Sequence, residues 1–125
     1  MKKTMILAPL LFFACVLGAS QKMTEARKIA GLLEGIRGMQ GAIFIRNGKE
    51  YPPGEAADHL AMKYAKAGDR IRTARQFIDF IASKSYLSGK EYMIKLPGGR
   101  LIRSRDILLR MLREIESGPT GPAVR

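Results

Sequence analysis

The sequence is poor in the residues that carry most enzyme chemistry. One His and one Cys occur among 125 residues, and Trp is absent. A single Cys, at position 15, excludes an internal disulfide, and a single His removes the His and Cys ligand sets that hold structural zinc, leaving only scattered carboxylates for a metal. Acid is scarce as well, with 11 Asp plus Glu against 22 Lys plus Arg and a formal charge of +11. The longest apolar run, Met5 to Leu17, has 13 residues and contains Pro9. A membrane helix needs about 18 to 20, so a retained span is not expected. Neither an internal repeat nor a linker divides the chain, and its length holds one domain. The hydrophobic fraction of 46% with 26% charged residues is too apolar for a disordered chain, so a packed core is expected.

What is present begins with an address. Met1-Lys2-Lys3-Thr4 is a short basic start, the apolar run follows, and Gly18-Ala19-Ser20 supplies small residues for cleavage. Residues 1–20 therefore read as a secretory signal peptide cut near Ser20, which places the protein in the periplasm or outside the cell. The second option is a lipoprotein anchored through Cys15. Ala14 suits it, while Phe12 and Phe13 are poor occupants of the flanking positions. Cleavage leaves 105 residues, a charge of +9 and no Cys. The stability of that chain must come from its core, and a domain of this size buries roughly two-thirds of its unfolded surface.

The mature chain, residues 21–118, reads as one α+β domain, with residues 119–125 as a flexible tail. Thr24 caps a helix through Arg37 whose inner face is Ile29, Leu32, Leu33 and Ile36. Gly35, Gly38 and Gly41 loosen its end. Asn47-Gly48 between Ala42–Arg46 and Lys49–Tyr51 signals a tight hairpin, because both central residues of a type I′ turn need positive φ. A second helix is expected from about Pro53 to Ala67, with Ala57, Leu60, Tyr64 and Ala67 inward and Gly68 as its stop. Thr73 and Gln76 form a capping box for a third helix with Ala74, Phe77, Ile78 and Ile81 inside. A serine-rich loop leads to a third strand at about Glu91 to Lys95. Ser104 is expected to cap the last helix, which carries Leu108, Met111, Leu112 and Ile115 inward and ends at Gly118-Pro119. The sum is four helices with a three-stranded antiparallel sheet.

Three blocks, FIRNGKEY (Phe44 to Tyr51), EAADHLAMKY (Glu55 to Tyr64) and RTARQFIDFIASKSYLSGKEYMIK (Arg72 to Lys95), closely resemble the YfeK-like family of short secreted proteobacterial proteins, a domain of unknown function. The resemblance covers about Ala26 to Gly99. It implies an envelope location and no particular activity. Many relatives have Cys where this chain has Ala42 and Leu96, on strands expected to be neighbours, so the resemblance implies an optional disulfide that this chain lacks.

The chemistry-bearing residues each have a bland reading beside the functional one. His59 shares a helix face with Glu55 and Lys63, which makes it a surface residue in a row of charges as readily as an acid or base. Ser83, Ser85, Ser88 and Lys90 are types that bind anions, although no phosphate-loop spacing is present and serines in a turn commonly satisfy backbone. Lys95, Arg100, Arg103, Arg105, Arg110 and Arg113 form the strongest surface signal, diluted by Asp106, Glu114 and Glu116. The reading is a non-catalytic envelope module that binds another macromolecule, with a protein favoured as partner. The alternative is capture of anionic envelope lipid or glycan by the segment Lys95 to Arg113. Nucleic acid is not expected outside the cytoplasm, and no catalytic residue, metal or cofactor is implied.

Overall fold

Thr24 opens the first helix through its hydroxyl, which accepts the Arg27 N–H at 3.2 Å, and α1 runs over Glu25–Arg37. The structure is a computed structural model and describes residues 23–118. The expected signal peptide, Cys15 and the 119–125 tail lie outside the described residues. The α1 stripe buries Ile29, Leu32 and Ile36, with Leu33 packed at the core margin. Gly35, expected from the sequence to loosen the helix end, lies inside the helix and has a packing role.

Gly31 and Gly35 form a track on α1 against the last helix, Ser104–Glu116. A Cβ on Gly31 would stand 3.0 Å from Ile115 Cδ1, and one on Gly35 would stand 2.9 Å from Met111 Sδ. Lys28 braces the same pair of helices, with Nζ 2.8 Å from both Glu25 Oε2 and Glu116 Oε2. Its hydrogen bond to Glu116, then that to Glu25, holds the ammonium pKa above the ordinary lysine value. At the same pole Met23 and Gly118, the first and last described residues, line one shallow hollow.

The hairpin forms as its turn residues dictate. Strand β1 (Ile43–Arg46) pairs antiparallel with β2 (Lys49–Tyr51) through Asn47 at φ 50° and Gly48 at φ 78°. Helix α2 then spans Pro53–Ala67, with proline at its first turn and Gly68 as its stop. It buries Ala56, Ala57 and Leu60, and Tyr64 meets Phe77 edge-on with ring centroids 5.7 Å apart.

Both bonds of the Thr73–Gln76 capping box are made, and the Glu25 carboxylate adds a third contact by accepting the Ala74 N–H at 2.9 Å. Helix α3 covers Ala74–Gln76 and continues as a π-helix over Phe77–Ala82. Ala74, Phe77, Ile78 and Ile81 are buried as expected. The wider winding ends on Ser83, whose hydroxyl donates to the Ile78 carbonyl five residues back and so extends the i→i+5 pattern by a side chain.

The sheet has four strands in the order β2-β1-β3-β4, all antiparallel, with β3 at Met93–Lys95 and β4 at Leu101–Arg103. Two expectations are corrected here. The sheet has a fourth strand, Leu101–Arg103, beyond the three expected, because the Pro97-Gly98-Gly99 loop folds it back onto β3. Ser104 is the first residue of α4 (Ser104–Glu116) and not its cap: its N–H is committed to the Tyr92 carbonyl at 2.9 Å, so strand runs directly into helix.

Strand pleating gives the sheet two unlike faces. Tyr51, Phe44, Ile94 and Ile102 lie side by side across the four strands and belong to the core against the helices. The opposite face carries Ile43, Ile45, Met93 and Leu101, none of which joins that core.

Candidate functional site

His59 leaves the charge row expected for it. It is half-buried on α2, its ring edge-on to Tyr51 with centroids 5.3 Å apart. Arg46 closes the group from the other side, with its guanidinium carbon 5.3 Å from the Tyr51 ring centroid and Nη2 3.4 Å from the hydroxyl. That hydrogen bond is the main cause holding the guanidinium pKa above its ordinary value. Lys63, the other expected neighbour, turns inward to donate to the Ile81 carbonyl at 3.1 Å and the Tyr92 hydroxyl at 3.0 Å. Among the described residues no carboxylate or hydroxyl is hydrogen-bonded to the imidazole. His59, Tyr51 and Arg46 line a cavity of about 30 Å³ together with Phe44, Leu60 and Leu108, which has room for little more than one water.

The serine loop spends its polar groups on itself. Ser83 and Ser85 are buried, Ser85 Oγ accepts the Ser88 N–H at 3.3 Å, and Ser88 Oγ accepts the Lys90 N–H at 3.2 Å while donating to Asn47 Oδ1 at 2.7 Å. Lys84 pairs with Glu91 across the loop as an isolated bridge. These bonds tie the loop to the hairpin turn.

The six basic residues do not form one surface. Lys95 lies on the open sheet face with Nζ 3.1 Å from Glu50 Oε2, and Arg103 on the same face lies 3.3 Å from Glu91. Arg105 is paired with Asp79 of the π-helix, to which Arg75 also comes within 3.5 Å. Arg100 is exposed in the β3–β4 loop, and Arg110 and Arg113 are exposed on α4. Arg105 and Arg110 are about 140° apart around that helix. Asp106 and Arg110, one turn apart on α4, do not come within ion-pair distance among the described contacts.

The surface that the sequence reading missed is the open face itself. Across it run Glu50, Ile45, Met93 and Arg103 in one row and Ile43, Lys95 and Leu101 in the next. The centre is largely apolar, with Leu101 55% exposed; the Lys95–Glu50 pair crosses it, and Arg103 pairs with Glu91 at the margin. The signal was present in Ile43-Phe44-Ile45: three consecutive apolar residues in a strand put apolar side chains on both faces, which a sheet covered on one side does not need.

A family model described as a family of unknown function (DUF5329) matches residues 23–116, the extent of the fold described above. The chain is 35% identical over 92 residues to the uncharacterized protein YfeK of Salmonella typhimurium, a match covering 74% of this chain and 77% of that protein. No solved structure matches it.

Proposed function

We propose that this chain, which belongs to that family of unknown function, is a non-catalytic module of the cell envelope that binds another protein through the open face of its sheet. The observation that carries the reading is the apolar group of Ile43, Ile45, Met93 and Leu101, which lies outside the core of the described residues on the opposite face of the sheet, with Leu101 55% exposed. Protein interfaces combine such a centre with charged margins, here the Glu91–Arg103 pair and Glu50, which Lys95 reaches across the centre. The polar groups elsewhere support binding over catalysis. His59 packs on Tyr51, and the Ser83 and Ser85 hydroxyls serve the backbone. Capture of anionic lipid or glycan by the segment Lys95 to Arg113 has less behind it, because three of its six cations are paired with carboxylates and the six are divided among the sheet face, a loop and different sides of α4.

Cross-linking in intact cells followed by partner identification tests this. The partner is expected to be lost when Leu101→Glu is combined with Ile45→Thr, and kept when Arg100, Arg110 and Arg113 are changed to Gln. It is expected to survive raised salt, as an interface with a buried apolar centre does. The reverse pattern, with loss in the arginine variant and steep salt sensitivity, would sink the reading.

A further inference from the structure

A second surface combines exposed apolar side chains with charge of one sign. At the end of α2 a groove of about 430 Å³ is lined by Lys63, Lys66 and Arg70 on one side and by Phe80 and Tyr86 on the other, over a floor of Ile71 and Ile81. No carboxylate lines it. The Arg70 side chain is held by neutral acceptors, with Nε 3.1 Å from the Ala67 carbonyl and Nη2 3.4 Å from that of Lys66. Lys63 lines the groove too, but its ammonium turns inward to the Ile81 carbonyl and the Tyr92 hydroxyl and lies 5.2 Å from the Tyr92 ring centroid. Lys66 and Arg70 thus face the groove with no carboxylate among the described residues that line it, and Lys63 adds its charge from behind. Beside them stands the tip of the α3–β3 loop, where Tyr86 is 87% and Leu87 97% exposed, with Phe80 at 57% behind. The loop's backbone is fixed by Ser85 and Gly89, the Gly89 N–H donating to the Ser85 carbonyl at 2.8 Å, so the apolar tip is held outward.

We propose that this tip and groove dock on the anionic phospholipid surface of a bilayer, with Tyr86 and Leu87 entering the headgroup boundary and Lys66 and Arg70 facing phosphates. The shape favours a membrane over a protein. Protein hot spots gather in the centre of a packed patch, whereas Tyr86 and Leu87 project from a loop beside a groove whose charged lining is basic. An aromatic hydroxyl beside an aliphatic side chain suits the interface, where one end is apolar and the other wet. The site is separate from the open sheet face, so either surface can fail without the other.

Sedimentation with vesicles tests it, using the full chain and variants that share its N-terminus. The unaltered protein is expected to favour mixed phosphatidylglycerol–phosphatidylcholine vesicles over pure phosphatidylcholine, and to lose that preference at high salt. Tyr86→Ser with Leu87→Ser is expected to lower anionic-vesicle binding about tenfold, and Lys66→Gln with Arg70→Gln by about as much. Tyr86 and Leu87 are solvent-exposed, so the first variant keeps its fold whatever the second does. Changing Arg100, Arg110 and Arg113 to Gln is expected to leave binding unchanged. Equal binding to both vesicle types, an unaffected serine variant, or loss confined to the arginine variant would each overturn the proposal. So would binding of monomeric short-chain phosphatidylglycerol without binding to vesicles, which would make the groove a pocket for a free amphiphile.

Discussion

Lys95 on β3 reaches over β1 to Glu50 on β2, its Nζ 3.1 Å from Oε2. The bridge crosses the strand that carries Ile43 and Ile45, so the most central cation of the basic segment is tied down above the apolar part of the sheet. The same segment supplies Arg103 to Glu91 and Arg105 to Asp79. A run of positive charge that looks continuous in sequence is thereby divided among partners on three elements.

That division predicts unequal effects within the segment. Arg105→Gln should destabilise by about 0.5–1 kcal/mol, because it breaks a partly buried pair with Asp79. Arg100→Gln and Arg110→Gln should stay within about 0.5 kcal/mol of the unaltered protein. Urea midpoints of the three single variants check this; equal midpoints would remove any structural role for the Asp79 pair.

The contact between α1 and α4 predicts a coupled pair. Gly35→Val should destabilise by about 2 kcal/mol, since a side chain there meets Met111 at 2.9 Å and valine adds more than a Cβ. Met111→Ala in the same chain should restore part of the loss, giving an interaction energy of about 1 kcal/mol in a double-mutant cycle. Additive losses would mean that the two side chains do not meet.

Lys28 predicts a pH dependence of one sign. Its pKa is raised in the folded chain by Glu116 and Glu25, so its contribution is complete below the ordinary lysine value of 10.5 and is lost as pH rises through the raised value. The stability gap between the unaltered protein and Lys28→Met should therefore be constant through neutral pH and narrow in strong alkali. Denaturant midpoints measured across that range decide it. A gap that persists above the lysine range would assign the Lys28 effect to packing of its stem.

The strand register predicts a disulfide. Ile43 pairs with Lys95, so one step outward places Ala42 opposite Leu96. Directly opposed residues have Cα atoms about 4.5–5.5 Å apart, within the span of a disulfide. Ala42→Cys with Leu96→Cys, in a chain carrying Cys15→Ala, should oxidise readily and become about 2–4 kcal/mol more stable than its reduced form. Mass spectrometry and paired melts test it, and a thiol pair that stays reduced in air would contradict the register.

Local chemistry made most of the fold legible. Thr24, the Asn47-Gly48 turn, Pro53, Gly68 and the Thr73–Gln76 box each act over a few residues, and each boundary follows from them. The π-winding of Phe77–Ala82 was not legible, because inward residues at 77, 78, 81 and 82 fit either helix type. Strand β4 was hidden by its length of three residues and by a partner across a glycine loop. The candidate surfaces were the least legible part. Whether Ile45, Met93, Phe80 or Leu101 is core or surface depends on which face a helix covers, and that is decided by tertiary packing.

Met23 and Gly118 share one hollow, beside the brace from Lys28 to Glu116. Residues 23 and 118, which bound the described fold, therefore lie close together. A short flexible linker between them, with new ends opened in the exposed Gly98-Gly99 loop, should yield a circular permutant with the same core, because strand pairing depends on register and not on the order in which the chain visits it.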